Sequence, residues 1–241
     1  MKKTTDTNYL QQAEEHQILQ EFENFILLRD HPCLMAQSVF SSHNLDFHVY
    51  PRLGSRETAS LLLKDLRSYL NTYDAESDLV FTFLAVFKGR SFYSEEEYEQ
   101  LLWRQLQFLH EADEKPWDRD VESDPQSPDF SFSLEGKAFY MVGMHPNSSR
   151  KSRQAPYPAI AFNLHLQFEK LRQKDRYEQV KQRIRERDLA LQGDINPMLE
   201  DFHEGSEARQ YSGRKVGEEW KCPFLHKKNK NVPAQEISEN R

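Results

Sequence analysis

Residues 129–143 read Asp129-Phe-Ser-Phe-Ser-Leu-Glu-Gly-Lys-Ala-Phe-Tyr-Met-Val-Gly143, and this stretch decides the fold. Apolar and polar residues alternate up to Leu134, Glu135-Gly136 supplies a turn, and the chain returns from Lys137 as a second apolar segment. Alternation on both sides of a glycine-containing turn predicts a β-hairpin. Upstream, residues 79–87 form a continuous apolar run rich in Val and Phe, the pattern of a strand buried on both faces. Residues 46–50 alternate and stop at Pro51, and residues 159–162 form another short strand.

Helical periodicity fills the intervals. Residues 9–29 carry an apolar face ending at His31-Pro32-Cys33, because the residue before proline avoids the helical region. Ser55 caps a helix to about Asn71, with Leu61, Leu62, Leu66 and Leu70 expected inward. Ser94-Glu-Glu-Glu97 is a capping box opening a helix to about Ala112, with Trp103, Leu106 and His110 along one flank. Residues 164–187 read as one long helix with two separate apolar stripes. The expectation is an α+β fold: a small mixed or antiparallel sheet packed by several helices. It forms a single domain over residues 1–224, followed by a disordered polar tail over residues 225–241.

The composition fits that division. The chain has 241 residues, of which 29% are charged and 12% aromatic. The mean hydropathy is −0.85, wet for a globule, yet disordered chains lack this aromatic content. A polar tail on an aromatic core reconciles the two. Two cysteines exclude a disulfide framework or a cysteine-based zinc ribbon. The net charge of −7 opposes generic nucleic-acid binding, which needs a basic footprint. No apolar run follows the N-terminal lysines, and the longest one is about half a bilayer span, so the expectation is a cytoplasmic protein with no membrane partner.

Unusual polar residues concentrate between His145 and Phe224. His145 lies on a loop after a strand, and His165 and Glu169 share a helix face four residues apart. The plain alternatives are a helix-face hydrogen bond for His165 and Glu169, a helix cap for Ser206, and a small buried hydrophobe for Cys222. The spacing of Ser148 and Lys151 matches a serine acyltransferase motif, but its companion motifs are absent, as is a glycine-rich phosphate loop. Two metal readings stand beside these. His145, His165 and Glu169 would make a two-histidine, one-carboxylate non-haem iron site. A haem site needs an axial His or Cys, an apolar pocket, and basic groups such as Arg150, Arg153, Arg209 and Arg214 for the propionates. The residues alone do not choose between them.

Several motifs occur in fixed order: Phe130-Ser-Phe-Ser133; Met144-His-Pro146 with Ser149-Arg150; Phe162-Asn-x-His165-x-Gln-Phe-Glu-x-Leu-Arg172; Asn196-Pro-Met-Leu199; Ser206-Glu-Ala-Arg-Gln-Tyr-Ser-Gly-Arg214; and Trp220-x-Cys-Pro-Phe224. From about Pro32 to Phe224 the chain thereby resembles the YqcI/YcgG family. The resemblance implies a haem-dependent N-oxygenase that hydroxylates the side-chain nitrogen of a free basic amino acid, arginine or a relative, or lysine. It implies haem b, dioxygen and an external electron donor. A haem-binding sensor or carrier without turnover is the alternative from another class. On this reading Glu169 and Glu207 face the cationic nitrogen, with His165 beside Glu169 as a catalytic residue. Arg150, Arg209 and Arg214 fork the substrate carboxylate or the propionates. The axial ligand is sought among His110, His145, His165 and Cys222. His110 ranks first because a rigid capped helix holds it, His145 second, and Cys222 last because it lies near the end of the fold. One departure from the family pattern is His203, where a glycine is expected.

Overall fold

The computed structural model describes residues 2–89, 94–175, 177–198 and 203–227. Five strands form one mixed sheet in the order β1-β2-β5-β4-β3: β1 (Leu45–Tyr50), β2 (Thr82–Phe87), β3 (Phe132–Leu134), β4 (Lys137–Met144) and β5 (Ala159–Leu164). β1 and β2 are parallel, joined through α3 (Arg56–Thr72), and every other pairing is antiparallel. The α+β expectation holds. The hairpin turns at Glu135 and Gly136, both left-handed with φ of 54° and 71°, the geometry whose twist matches that of the flanking strands.

The period-two pattern sorts side chains to two faces. Phe83, Ala85 and Phe87 of β2 join Phe139, Met141, Ile160 and Phe162 in one core, against α3 and α4 (Glu95–Ala112). Leu84, Val86, Met144, Ala159 and Ala161 face a second core with α1 (Lys2–Glu23), the π-helical turn Asn24–Leu28 that continues it, and α2 (Leu34–Ser41). Strand β5 thus shows large residues to one face and alanines to the other. The alanine face leaves room, and the candidate site lies there.

Both predicted caps form. Ser55 Oγ accepts from Thr58 N, and Ser94 and Glu97 close the capping box. On α3, however, Leu61 is exposed and Leu63 takes its place inside. The predicted long helix divides into α5 (His165–Gln173) and α6 (Tyr177–Gln192), with Asp175 left-handed at φ 53°. Its two apolar stripes belong to two helices that diverge at this point. α7 (Ala208–Tyr211) is short, and Ser206 Oγ caps it by accepting from Ala208 N. His203 has φ 77°, a conformation that favours glycine and accounts for the expected residue there. At the start of the predicted tail, Leu225 N donates to Gln107 and Lys227 N to His110. The remainder of that tail, from residue 228, lies outside the described residues. Among the described residues no helix is long and apolar enough to cross a membrane.

Candidate functional site

The alanine face of the sheet floors a cavity of about 280 Å³, closed by the end of α1, α2, α5 and α6. Phe22, Ile26, Val39, Phe40, Leu84 and Phe168 make its walls largely apolar. A few polar groups converge on it: His31, Cys33, Arg153, His165, Asp188 and Glu207. An apolar cavity with a small number of convergent polar groups is the usual form of a ligand site, though this one falls just below the ~300–1,000 Å³ range.

Glu207 and His165 carry the most perturbed chemistry. Glu207 is buried just before α7, and burial raises its carboxyl to about 8 despite hydrogen bonds from Ser131 Oγ (3.0 Å) and Tyr211 OH (3.1 Å). His165, first residue of α5, is held below the ordinary imidazole range by burial, and its seat at a helix N-terminus acts in the same direction. Its Nδ1 lies 3.7 Å from Glu207 Oε1, and its Nε2 3.2 Å from Glu169 Oε1. Glu169 also pairs with Arg172. An acid that stays protonated beside a neutral imidazole is a recurrent active-site arrangement.

This arrangement carries a pH signature. An unfolded chain releases the Glu207 proton near 4.5, whereas the folded chain holds it to about 8. The native state therefore binds the extra proton across that window, and stability falls as pH rises through it. Glu207→Gln should leave stability unchanged below the window and raise it by up to a few kcal/mol above. Denaturant unfolding of both proteins at acid and alkaline pH measures the difference.

Three further residues were not foreseen as a group. His31 donates from Nε2 to Ser152 O (2.9 Å) and accepts from Cys33 N at Nδ1 (3.2 Å), and burial lowers it to about 4. It is a neutral, fully engaged imidazole that orients Cys33. Cys33 caps α2, its Sγ accepting from Ala36 N (3.5 Å) and also meeting the Met35 N–H, and burial pushes its thiol up. Arg153 is only 7% exposed; its Nη1 donates to Gly143 O (2.9 Å), and among the described residues no carboxylate pairs with it. In sequence, His31-Pro32-Cys33 carries only the signal of a helix end.

The structure separates the other predicted residues from this cavity. His110 Nε2 accepts from Lys227 N (3.1 Å), and its ring packs against Trp117 and Phe224. It ties down the C-terminal segment and borders neither described cavity. His145 is buried and stacked on Tyr98 at 4.5 Å. It follows Met144, which pairs with Ala159 at the start of β5, whereas His165 follows the last residue of that strand. The two histidines therefore stand apart by roughly the length of the strand, ~17–20 Å. The iron site of His145, His165 and Glu169 is not assembled, and no cluster of three metal-ligating side chains occurs among the described residues. Arg150 is consumed by Asp188 and Asp194, Arg214 by Glu99, and Arg209 donates to Gly217 O. Cys222 lies outside the cavity, and burial raises its thiol to about 12.

A second, polar cavity of about 1,170 Å³ lies at the C-terminal end of β5, lined by Arg67, Asp118, Lys137 and Glu169 among others. His165 borders both cavities.

The family model described as "YqcI/YcgG family" matches residues 22–225. The chain is 31% identical to "Uncharacterized protein YcgG" of Bacillus subtilis (strain 168) over 144 residues, 57% of this chain and 56% of that protein. It therefore spans little more than half of that relative. "Uncharacterized protein YqcI" of the same strain is 25% identical over 221 residues, 82% of each chain. No solved structure matches.

Proposed function

The chain belongs to the YqcI/YcgG family, and on that premise we propose that it is a haem-dependent N-oxygenase acting on a free basic amino acid in the apolar cavity. The observation that carries this reading is the charge layout of one cavity: a buried arginine without a carboxylate, and acids close by. Arg153 receives the α-carboxylate of the substrate through its free N–H groups. Glu207, once deprotonated, faces the cationic side chain together with Asp188, whose Oδ2 pairs with Arg150 and whose Oδ1 has no hydrogen-bond partner among the described residues. The apolar walls exclude water, which strengthens both interactions.

The donor set also fits the cofactor. Cys33 is the residue that would hold the iron: its sulfur meets only the backbone N–H groups of Ala36 and Met35, whereas both nitrogens of His31 are engaged and those of His165 face carboxylates. Arg172, Lys181 and Arg185 line the α5–α6 side, where propionates would be met. At about 280 Å³ the cavity does not take a macrocycle and an amino acid together, so the haem assignment rests on the family resemblance and on the donor set. When bound, haem supplies the activation of dioxygen, with electrons from an external donor.

Incubation with arginine or lysine, a reductant and oxygen tests the reading. Mass spectrometry should find a product heavier by one oxygen on the side-chain nitrogen. Haem binding without any such product returns the protein to the sensor or carrier class.

A further inference from the structure

We propose that Glu207, His165 and Glu169 form a proton relay that joins the apolar cavity to the polar one. Its geometry is that of a wire through a wall. Glu207 lines the apolar cavity, Glu169 lines the polar cavity, and His165 lines both. Each ring nitrogen faces a different carboxylate, Nδ1 to Glu207 Oε1 at 3.7 Å and Nε2 to Glu169 Oε1 at 3.2 Å.

Hydrogen bonding fixes where the protons sit. Ser131 Oγ and Tyr211 OH lie closer to Glu207 Oε2 (3.0 and 3.1 Å) than to their other acceptor, Phe139 O (3.2 and 3.3 Å), so Oε2 accepts and the acid proton belongs on Oε1, the oxygen that faces Nδ1. Glu169 pairs with Arg172, so it is the accepting end, and the imidazole proton belongs on Nε2. Burial keeps Glu207 protonated and His165 neutral near neutral pH, the distribution that the relay requires. The other charges facing the ring are Arg172 on the same helix and Asp118 in the loop before β3, and Arg172 also acts on Glu207. The Nδ1–Oε1 gap is about 0.5–1 Å longer than a hydrogen bond, within reach of a small side-chain shift.

The transfer balances. The Glu207 O–H bond breaks as an N–H bond forms at Nδ1. The Nε2–H bond breaks as an O–H bond forms on Glu169, which then releases its proton to water in the polar cavity. One proton has left the apolar cavity without water entering it. Glu207 remains as a carboxylate, ready to pair with a cationic nitrogen or to accept its proton. That last use rests on the proposed N-oxygenase reading, whereas the relay itself needs neither haem nor substrate.

The test uses the full chain with nitrogen-labelled histidine and no added ligand, so failure of the N-oxygenase assay leaves it unaffected. The ring of His165 should be neutral with its proton on Nε2 while Glu207 is protonated. As pH rises, its Nδ1 resonance should shift in one step near pH 8, together with loss of the Glu207 acid carbonyl band in the infrared. Glu207→Gln should abolish that step, and Glu207→Asp should restore one. A histidine with its proton on Nδ1 beside protonated Glu207 would overturn the relay. So would a ring that does not respond to the Glu207 titration, or a step that persists in Glu207→Gln.

Discussion

Replacing Arg153 with methionine should weaken binding of a free basic amino acid by about 30-fold to several thousand-fold, the ~2–5 kcal/mol that follows truncating one partner of a buried charge pair. Arg153 ends the 3-10 turn Lys151–Arg153, and Gly143 O is its one side-chain hydrogen-bond acceptor among the described residues. Among those residues the remaining guanidinium donors meet no carboxylate, although the side chain is almost wholly buried. Such a charge is costly unless a ligand completes it. Arg150, three residues earlier, has two carboxylate partners and no free role, so Arg150→Met should act on stability and not selectively on the carboxylate of the ligand. Calorimetry with arginine and with its decarboxylated analogue separates the effects. The wild-type protein should prefer the carboxylate-bearing ligand, and Arg153→Met should erase that preference. Equal losses for both ligands would remove Arg153 from substrate recognition.

Gly143→Ala should cost about 3 kcal/mol, the upper end of what overpacking usually does. A Cβ at this position would stand 2.5 Å from Tyr211 O, 2.6 Å from Leu102 Cδ1 and 2.8 Å from Tyr98 OH. Two of these cannot yield cheaply. Tyr211 O is backbone of α7, and Tyr98 OH bridges two strands, donating to Ala159 O (2.6 Å) and accepting from Met144 N (2.9 Å). The damage should also reach the site, because α7 and its preceding residue carry Gln210 and Glu207. Denaturant midpoints measure the cost. A loss below ~0.5 kcal/mol, typical of a neutral surface change, would show that α7 is not pressed onto β4.

These two residues mark what sequence conveys and what it withholds. The hairpin is legible because alternation and the Glu135-Gly136 turn are local signals, and the capping box at Ser94 is equally local. The break between α5 and α6 has no glycine or proline; a left-handed Asp175 makes it, and only the pair of apolar stripes betrays it. His165, Glu169 and Glu207 stand out as polar residues beside apolar segments, and the structure gathers them. The arginines do not sort themselves in sequence. Arg150 meets Asp188 across 38 positions and Arg214 meets Glu99 across 115, and a sequence shows a charge without its partner. Cys33 and Arg153 become significant only when the alanine face of β5 leaves a cavity between them. His110 shows the converse: it looks poised on a rigid helix, yet the C-terminal segment occupies it.

Titrating haemin into the full chain and recording the reduced, carbon monoxide-bound spectrum decides whether the apolar cavity takes haem with Cys33 at the iron, as proposed. Saturable, stoichiometric uptake with the strongly red-shifted Soret band of thiolate ligation, lost in Cys33→Ser, is the expected result. No saturable uptake, or an imidazole-type spectrum that Cys33→Ser leaves unchanged, would contradict it.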